Sequence, residues 1–433
     1  MDQKSKAHSD VICTFCGCLC DDIEVEVVDN RIARVKKACM IGRNKLMHAQ
    51  SNNPDITIAG RPASLDAALS EAAHILKSAR FPLVYGLSST TTEAQREMVE
   101  IAEILNATMD NPSSYCHGPG LMARQQVGLV SCTLGEVKNR ADLVIFWGCN
   151  PLEAHVRHFT RYSVSAKGLF QPEGRKDRKI VAIDIRATPT TKSSDWFIQV
   201  TPGNTFEAAT LLRALVSNNA IGIKDDAIVA GVPVSKWREL AEMIKNCKYG
   251  VIFFGLGVTQ CRGRDINVEQ LALLVSEINN YTRFYGMAMR GHGNVAGGNQ
   301  VMTWQTGYPL AVNFSRGYPR YNPGEFSVIS LLARKEVDAA LVVATDPGAH
   351  LPADTVEHLK NIPTVYLEPH KNLTTEWATI VIPVAQAGVA ASGTYYRMDN
   401  VPLRVKKIVE SAHLSDEEAL KRIKERIIHA QDC

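Results

Sequence analysis

Residues 179–200 read KIVAIDIRATPTTKSSDWFIQV, and residues 363–384 read PTVYLEPHKNLTTEWATIVIPV. The two stretches align without a gap. Each has an apolar strand, then a carboxylate (Asp184, Glu368), then Thr-Thr six residues on, then a second apolar strand. The duplication extends outward. LVIFWGCNPLEAH at 143–155 answers to LVVATDPGAH at 341–350, both apolar strands closed by a small-residue turn with proline. PLVYGLSSTTTEA at 82–94 answers to VIFFGLGVTQ at 251–260, in the order strand, glycine turn, threonine. Apolar strands that end in Gly, Asn or Asp turns and alternate with helical segments describe parallel α/β units. Any one such strand and turn is an ordinary fold element; the repetition argues for two related halves. Ligands of such sheets lie beyond the carboxyl ends of the strands. There a carboxylate takes a ribose hydroxyl or a base edge, and threonine hydroxyls and helix amino ends suit phosphate. Two halves therefore imply two nucleotide-type half-sites. The turns contain no G-x-G-x-x-G or Walker A motif, so ordinary NAD or ATP binding is not indicated.

Composition sets the outer bounds. A chain of 433 residues suggests about three domains at roughly 150 residues each. It is 45% hydrophobic and 21% charged, which excludes a disordered, collagen-like or coiled-coil chain. The formal net charge of +3 is too balanced for a nucleic-acid binder. No apolar run approaches the roughly 18 residues of a membrane span. The opening MDQKSKAHSD is polar and has no signal-peptide core. The expectation is a soluble, cytoplasmic protein.

Eleven cysteines are unevenly placed, and Cys13, Cys16, Cys18 and Cys20 fall together. In an intracellular chain such a cluster more often binds metal than forms disulfides. Cys13, Cys16 and Cys20 have C-x2-C-x3-C spacing, and Cys39 follows in KACMIG. Between them, alternating Ile23, Val25 and Val27, then Ile32 and Val35, flank Asp29-Asn30 and describe a β-hairpin that returns Cys39 to Cys20. A tetrathiolate zinc site is one reading, but such sites pair two C-x2-C knuckles and only one is present. The other reading, which the spacing favours, is a [4Fe-4S] cluster. Cys18 is a bystander in that spacing or a replacement for Cys16 or Cys20.

Ser114-Tyr-Cys116-His117-Gly118-Pro-Gly120 follows a helix expected at about 93–106 and a short strand near Ala107 to Asp110. A Cys-His pair in such a loop is a nucleophile pair, a metal ligand beside an acid/base, or simple packing. Adjacency in sequence suits a metal-bound thiolate with the next side chain in the substrate pocket better than a cysteine hydrolase. A second loop, Met289-Arg290-Gly-His292-Gly-Asn294-Val-Ala-Gly-Gly, offers at Arg290 a planar fork for a carboxylate. The plainer reading makes Arg290 an exposed loop cation.

In this order the motifs resemble the catalytic subunits of bis-molybdopterin oxidoreductases such as formate dehydrogenase. The loops YCHGPG, GEVKNRADLVIFWGCNP, MRGHGNV, YNPGE and DPGAH resemble more closely, over nearly the whole chain, the B subunits of formylmethanofuran dehydrogenases. The resemblance implies an α/β bis-molybdopterin oxidoreductase fold without the C-terminal cap domain. It implies a [4Fe-4S] cluster on Cys13, Cys16, Cys20 and Cys39. Cys116 would ligate tungsten or molybdenum, together with four dithiolene sulfurs of two molybdopterin guanine dinucleotides and a terminal sulfide. His117 would be the acid/base or electrostatic partner, and Arg290 would orient formate or CO2. Gly148, Asn150, Glu153, Asp184 and Arg186 would serve one dinucleotide; Gly255, Gly257, Thr259, Asp346, Glu368 and Thr374 would serve the other. Lys45, in preference to Arg43, would lie between cluster and pterin.

The implied reaction is reversible reduction of CO2 to formate in methanogenesis, with low-potential electrons from polyferredoxin-type iron–sulfur subunits. The amidohydrolase-like A subunit would join formate to methanofuran, the D subunit would supply the missing cap, and the C subunit would complete the complex. A formate dehydrogenase subunit of another complex, or a metal-free scaffold of a formyltransferase/hydrolase complex, is the alternative; five intact cysteines at the cluster and metal positions count against the scaffold. The expected domains are a cluster domain over 1–55, one dinucleotide-binding domain from 56–113 with 291–388, and another over 114–290. A C-terminal segment, 389–433, would pack on the cluster domain. Its helix, about 415–430, would open on a Ser-x-x-Glu capping box.

Overall fold

The computed structural model describes residues 5–219 and 222–429. They form two compact units: Tyr115–Gly291 is one, and the residues up to Ser114 together with those from His292 on make the other. Both are mixed α/β, built on parallel sheets.

In the Tyr115–Gly291 unit the sheet has five strands, in the order Trp196–Gln199, Lys179–Asp184, Leu143–Trp147, Tyr249–Phe254, Arg283–Ala288. All four pairings are parallel. The central strands are buried along their whole length, the property of a sheet covered on both faces. Trp147 and Trp237 stack in this core at 6.3 Å between ring centroids.

The other unit carries a nine-stranded sheet. Its parallel centre runs Ile380–Pro383, Thr364–Glu368, Ala339–Val343, Pro82–Gly86, Thr108–Asp110, with short antiparallel strands added at each edge. The five central strands are the duplicates of the five in the first unit, in the same order. The register repeats as well: Trp147 pairs with Ile183, and Val343 pairs with Leu367. Chain order differs. Here the 82–86 and 108–110 strands precede the other three, whereas their counterparts follow in the first unit.

The cysteine-rich segment belongs to this second unit. Strands Ile23–Val28 and Arg31–Lys36 form the expected hairpin. Asp29 and Asn30 both have positive φ, 49° and 62°, as a tight two-residue turn requires. Ser5–Val11 adds a third, antiparallel strand.

The segment from 389 divides its contacts. The hairpin Gly393–Tyr396/Pro402–Val405 packs Tyr395 and Val405 against Ile12 and Leu19 of the cysteine segment. The helix Asp416–His429 goes elsewhere, against helices Leu65–Ser78 and Thr92–Ile104. Its apolar face, Ala419, Leu420, Ile423 and Ile427, completes the core over the sheet. That face is a stripe at helical spacing and needs an apolar wall, which the small cysteine segment lacks. The capping box forms: Ser415 Oγ accepts from Glu418 N–H, and Glu418 accepts from Ser415 N–H at 2.9 Å. Residue 430 of the expected helix lies outside the described residues.

Candidate active site

Cys116 and His117 end a short turn after the 3₁₀ segment Pro112–Tyr115 and enter the helix Gly118–Val127. The carbonyl of Cys116 accepts from Thr259 Oγ1 at 2.9 Å and from Gln260 Nε2 at 2.7 Å. The turn is thereby fixed from the next strand-end loop. The Met289–Arg290 turn, at the end of strand Arg283–Ala288, comes to the same place. Met289 N–H donates to the Phe254 carbonyl at 2.8 Å, and the Met289 carbonyl meets His117 Nε2 at 3.0 Å. Arg290 is buried, with 4% exposure, so it is not the exposed loop cation of the plainer reading. Burial lowers its pKa to about 10, with Arg124 adding and the nearby Cys116 opposing. The Cys116 thiol is raised to about 11 by desolvation, against the pull of Arg290. His117 is lowered to about 3 by burial, by Arg290 and by His155. A carbonyl only accepts, so His117 holds its proton on Nε2; its buried Nδ1 has no partner and presents a lone pair.

Sequence reasoning assigned no role to His155. It is buried, and its Nε2 lies 2.7 Å from the Arg290 carbonyl. The signal was its place at the end of the strand-turn motif GCNPLEAH. His158 is wholly buried, edge-on to Phe253 at 4.6 Å between centroids.

The residues expected at the dinucleotides group differently from the sequence assignment. Gly148, Gly255, Gly257 and Thr259 all belong to the Tyr115–Gly291 unit, with Asn150, Glu153, Asp184 and Arg186; Asp346, Glu368 and Thr374 belong to the other. Gly148 and Gly257 lie against each other: a Cβ on Gly257 would stand 2.8 Å from the Gly148 backbone. Gly148 also has φ +57°, so only glycine is comfortable there. Thr259 is fully buried, and its hydroxyl donates to the Cys116 carbonyl.

The duplicated threonines have a matching structural duty. Thr190 Oγ1 donates to Asn150 Oδ1 at 2.6 Å and accepts from Leu152 N–H at 3.4 Å. Thr374 Oγ1 donates to Asp346 Oδ1 at 2.6 Å and accepts from Gly348 N–H at 3.0 Å. Each latch closes the proline turn at a strand end. Thr374, expected at a dinucleotide, is fully buried with its hydroxyl engaged in this latch. Asn150 also donates to Glu153 at 2.6 Å. Asp184 accepts from Ile185 N–H, and Arg186 is exposed beside it. Glu368 is raised to about 8 by burial and by the charges of Asp416 and Asp346.

In the other unit the four spaced cysteines gather. Cys13 N–H donates to the Cys20 carbonyl at 2.9 Å. Burial pushes the Cys13 thiol up to about 12, and the charges of Cys16, Cys20 and Cys39 add to it. Cys39 caps the helix Met40–Met47, its Sγ accepting from Gly42 N–H at 3.3 Å. A Cβ on Gly42 would lie 2.9 Å from Cys13 Sγ and 3.5 Å from Cys39 Sγ. Cys18, wholly buried, donates to Cys16 and lowers that thiol. Lys45 lies on the exposed side of the same helix, its Nζ 5.8 Å from the centre of the Phe15 ring. Among the described residues no three His, Cys, Asp or Glu side chains close to the spacing of a single metal ion.

Two relatives decide the family. The chain is 45% identical over 429 residues to the B subunit of tungsten-containing formylmethanofuran dehydrogenase 2 from Methanocaldococcus jannaschii, covering 96% of this chain and 97% of that protein. It is 42% identical to the B subunit of the enzyme of the same name from Methanococcus maripaludis, covering 98% and 99%. This chain belongs to the family of formylmethanofuran dehydrogenase B subunits. It is thus an oxidoreductase subunit and one component of a multisubunit enzyme. A solved formyltransferase/hydrolase complex (FhcABCD) from Methylorubrum extorquens, crystallised with methylofuran, contains a chain of the same fold. Its TM-score is 0.70 at 24% identity, covering 87% of this chain and 100% of that one. No family model matches the chain. No helix among the described residues is long and apolar enough to cross a membrane.

Proposed function

We propose that this formylmethanofuran dehydrogenase B subunit interconverts CO2 and formate at a tungsten held by Cys116 between two molybdopterin guanine dinucleotides. Tungsten is preferred to molybdenum because both near relatives carry it in their names. The single observation that carries the reading is the Met289–Arg290 turn held by His117, which sets a buried guanidinium beside the Cys116 thiol. The donor set fits a soft heavy metal: a lone thiol with an immobilised carbonyl, pushed up by burial, whose proton a cationic metal would displace. The gathered sulfurs of Cys13, Cys16, Cys20 and Cys39, with Gly42 leaving room against two of them, fit a [4Fe-4S] cluster. In this reading the fold is that of the bis-molybdopterin oxidoreductases, divided into 1–55, 56–113 with 291–388, 114–290, and 389–433.

When bound, the metal–dithiolene group supplies the two-electron exchange of CO2 + H⁺ + 2e⁻ with formate. The chain's own residues do the rest. Thr259 and Gln260 fix the backbone of the donor cysteine. Arg290 takes the carboxylate in a planar fork, and its burial strengthens that pairing. His117 Nδ1 holds or gives the single proton. Burial first, with Arg290 adding to it, keeps the imidazole unprotonated while the site is free, and a carboxylate paired to Arg290 offsets the arginine's share of that bias. Lys45 is proposed on the path between cluster and pterin. The proposed partners, in the cytoplasm, are the amidohydrolase-like A subunit, the C subunit, the cap-forming D subunit and polyferredoxin-type subunits. The amidohydrolase-like partner condenses formate with methanofuran.

Metal analysis of the anaerobically purified complex is the direct test. Stoichiometric tungsten with iron is expected; zinc without tungsten or molybdenum overturns the reading. Cys116→Ala should abolish formate turnover while the cluster's paramagnetic signal persists, and normal turnover would remove Cys116 from the site.

A further inference from the structure

We infer that His155 is a positioning residue for Arg290, acting through the arginine's backbone rather than by touching substrate. This rests on the proposed carboxylate role of Arg290. The carbonyls of Met289 and Arg290 are consecutive, and each meets a histidine Nε2: His117 at 3.0 Å and His155 at 2.7 Å. Both rings are buried, with 3% and 4% exposure. Because a carbonyl has only lone pairs to offer, each ring carries its proton on Nε2. Two donors on adjacent peptide groups fix the plane of both. The root of the Arg290 side chain is thereby set with the same rigidity as His117.

His155 is itself held at both ends. Its N–H donates to the Pro151 carbonyl at 2.8 Å, and its carbonyl accepts from His158 N–H at 2.7 Å. The Pro151 turn is in turn closed by the Thr190 latch on Asn150. A path of hydrogen bonds and chain therefore runs from the Asn150–Thr190 strand-end turn to the Arg290 backbone, all within the Tyr115–Gly291 unit. Neither end of that path needs His155 at the reacting atoms. Its burial keeps it neutral, so it supplies one donor and no charge.

The test uses the intact complex, with equilibrium affinity for formate measured without electron acceptor, and KM and kcat for formate oxidation beside it. His155→Leu removes the donor, while His155→Gln places an amide N–H near the Nε2 position. His155→Leu should weaken formate binding and raise KM by about 10-fold or more, the scale of a misplaced positioning group, with tungsten content and cluster signal retained. His155→Gln should recover most of the affinity. In an Arg290→Lys background, His155→Leu should add less than about 2-fold, because residues acting through one group are not additive. Native affinity in His155→Leu, full additivity with Arg290→Lys, or a glutamine variant no better than leucine overturns the inference and leaves the carboxylate site standing. Unchanged affinity in Arg290→Lys alone removes both. Should His155→Leu lose its metal, His155→Gln decides: near-native affinity supports the inference, and a loss of about 10-fold overturns it.

Discussion

His158 shows what burial does to a titratable side chain. Its ring sits among Phe146, Phe253 and Tyr162, its Nε2 has no partner, and burial lowers its pKa to about 3. The unfolded chain binds that proton near pH 6.5, so the native state is favoured above pH 6.5, and this contribution is lost as the pH falls toward 3. His158→Phe suits the aromatic surroundings and cannot charge. The melting temperature of this variant should fall less between pH 7 and pH 5 than that of the unaltered protein; parallel declines would show that His158 is not the acid-labile group. The loop chemistry of Cys116, His117 and Arg290 was legible because rare side chains in glycine-rich turns stand out. His155 and His158 were not, because nothing in a sequence says which carbonyl or which rings a histidine will meet.

At the scale of elements, the two latches compare like with like. Thr190→Val leaves an amide oxygen and a backbone N–H without the threonine hydroxyl, for a cost of about 1–2 kcal/mol; Thr374→Val takes from the Asp346 carboxylate the shorter of its two bonds to residue 374 and leaves Gly348 N–H without its acceptor, for up to about 3 kcal/mol. Denaturant titration of the two variants should give that order, and equal losses would count against the charge difference between Asp346 and Asn150. Gly42 offers a sharper test of the cysteine cradle. With 2.9 Å between its would-be Cβ and Cys13 Sγ, Gly42→Ala must push a sulfur aside. Purified Gly42→Ala complex should contain less iron than the unaltered complex, and full iron with a normal cluster signal would place the cluster elsewhere. The threonines were visible as a repeat, yet their sequence reading was phosphate binding. The latch joins residues 40 apart in one unit and 28 apart in the other, contacts that only strand adjacency creates.

For the whole molecule, the Tyr115–Gly291 unit is one continuous stretch around its own apolar cluster. A fragment of residues 115–291 should therefore fold alone and unfold cooperatively in urea, as a domain with a private core does. A broad, non-cooperative transition would mean that its sheet depends on the rest of the chain. The other unit draws on both ends of the sequence, and its C-terminal helix fills the core over its sheet. Removing residues 416–433 should cost the protein its folded state rather than a surface appendage; a soluble, cooperatively melting truncation would contradict that.

By itself the sequence determined the duplicated parallel α/β halves, the hairpin between Cys20 and Cys39, and the family, because apolar periodicity, turn residues and cysteine spacing are local patterns. The tertiary structure alone decided which strand-end loops share a unit. It brought Gly148 against Gly257, turned Thr259 and Thr374 inward, and set two histidines on the carbonyls before and at Arg290. These are contacts between segments a hundred or more residues apart or across neighbouring strands. They depend on strand order and on the packing of backbone against backbone, neither of which a linear pattern encodes.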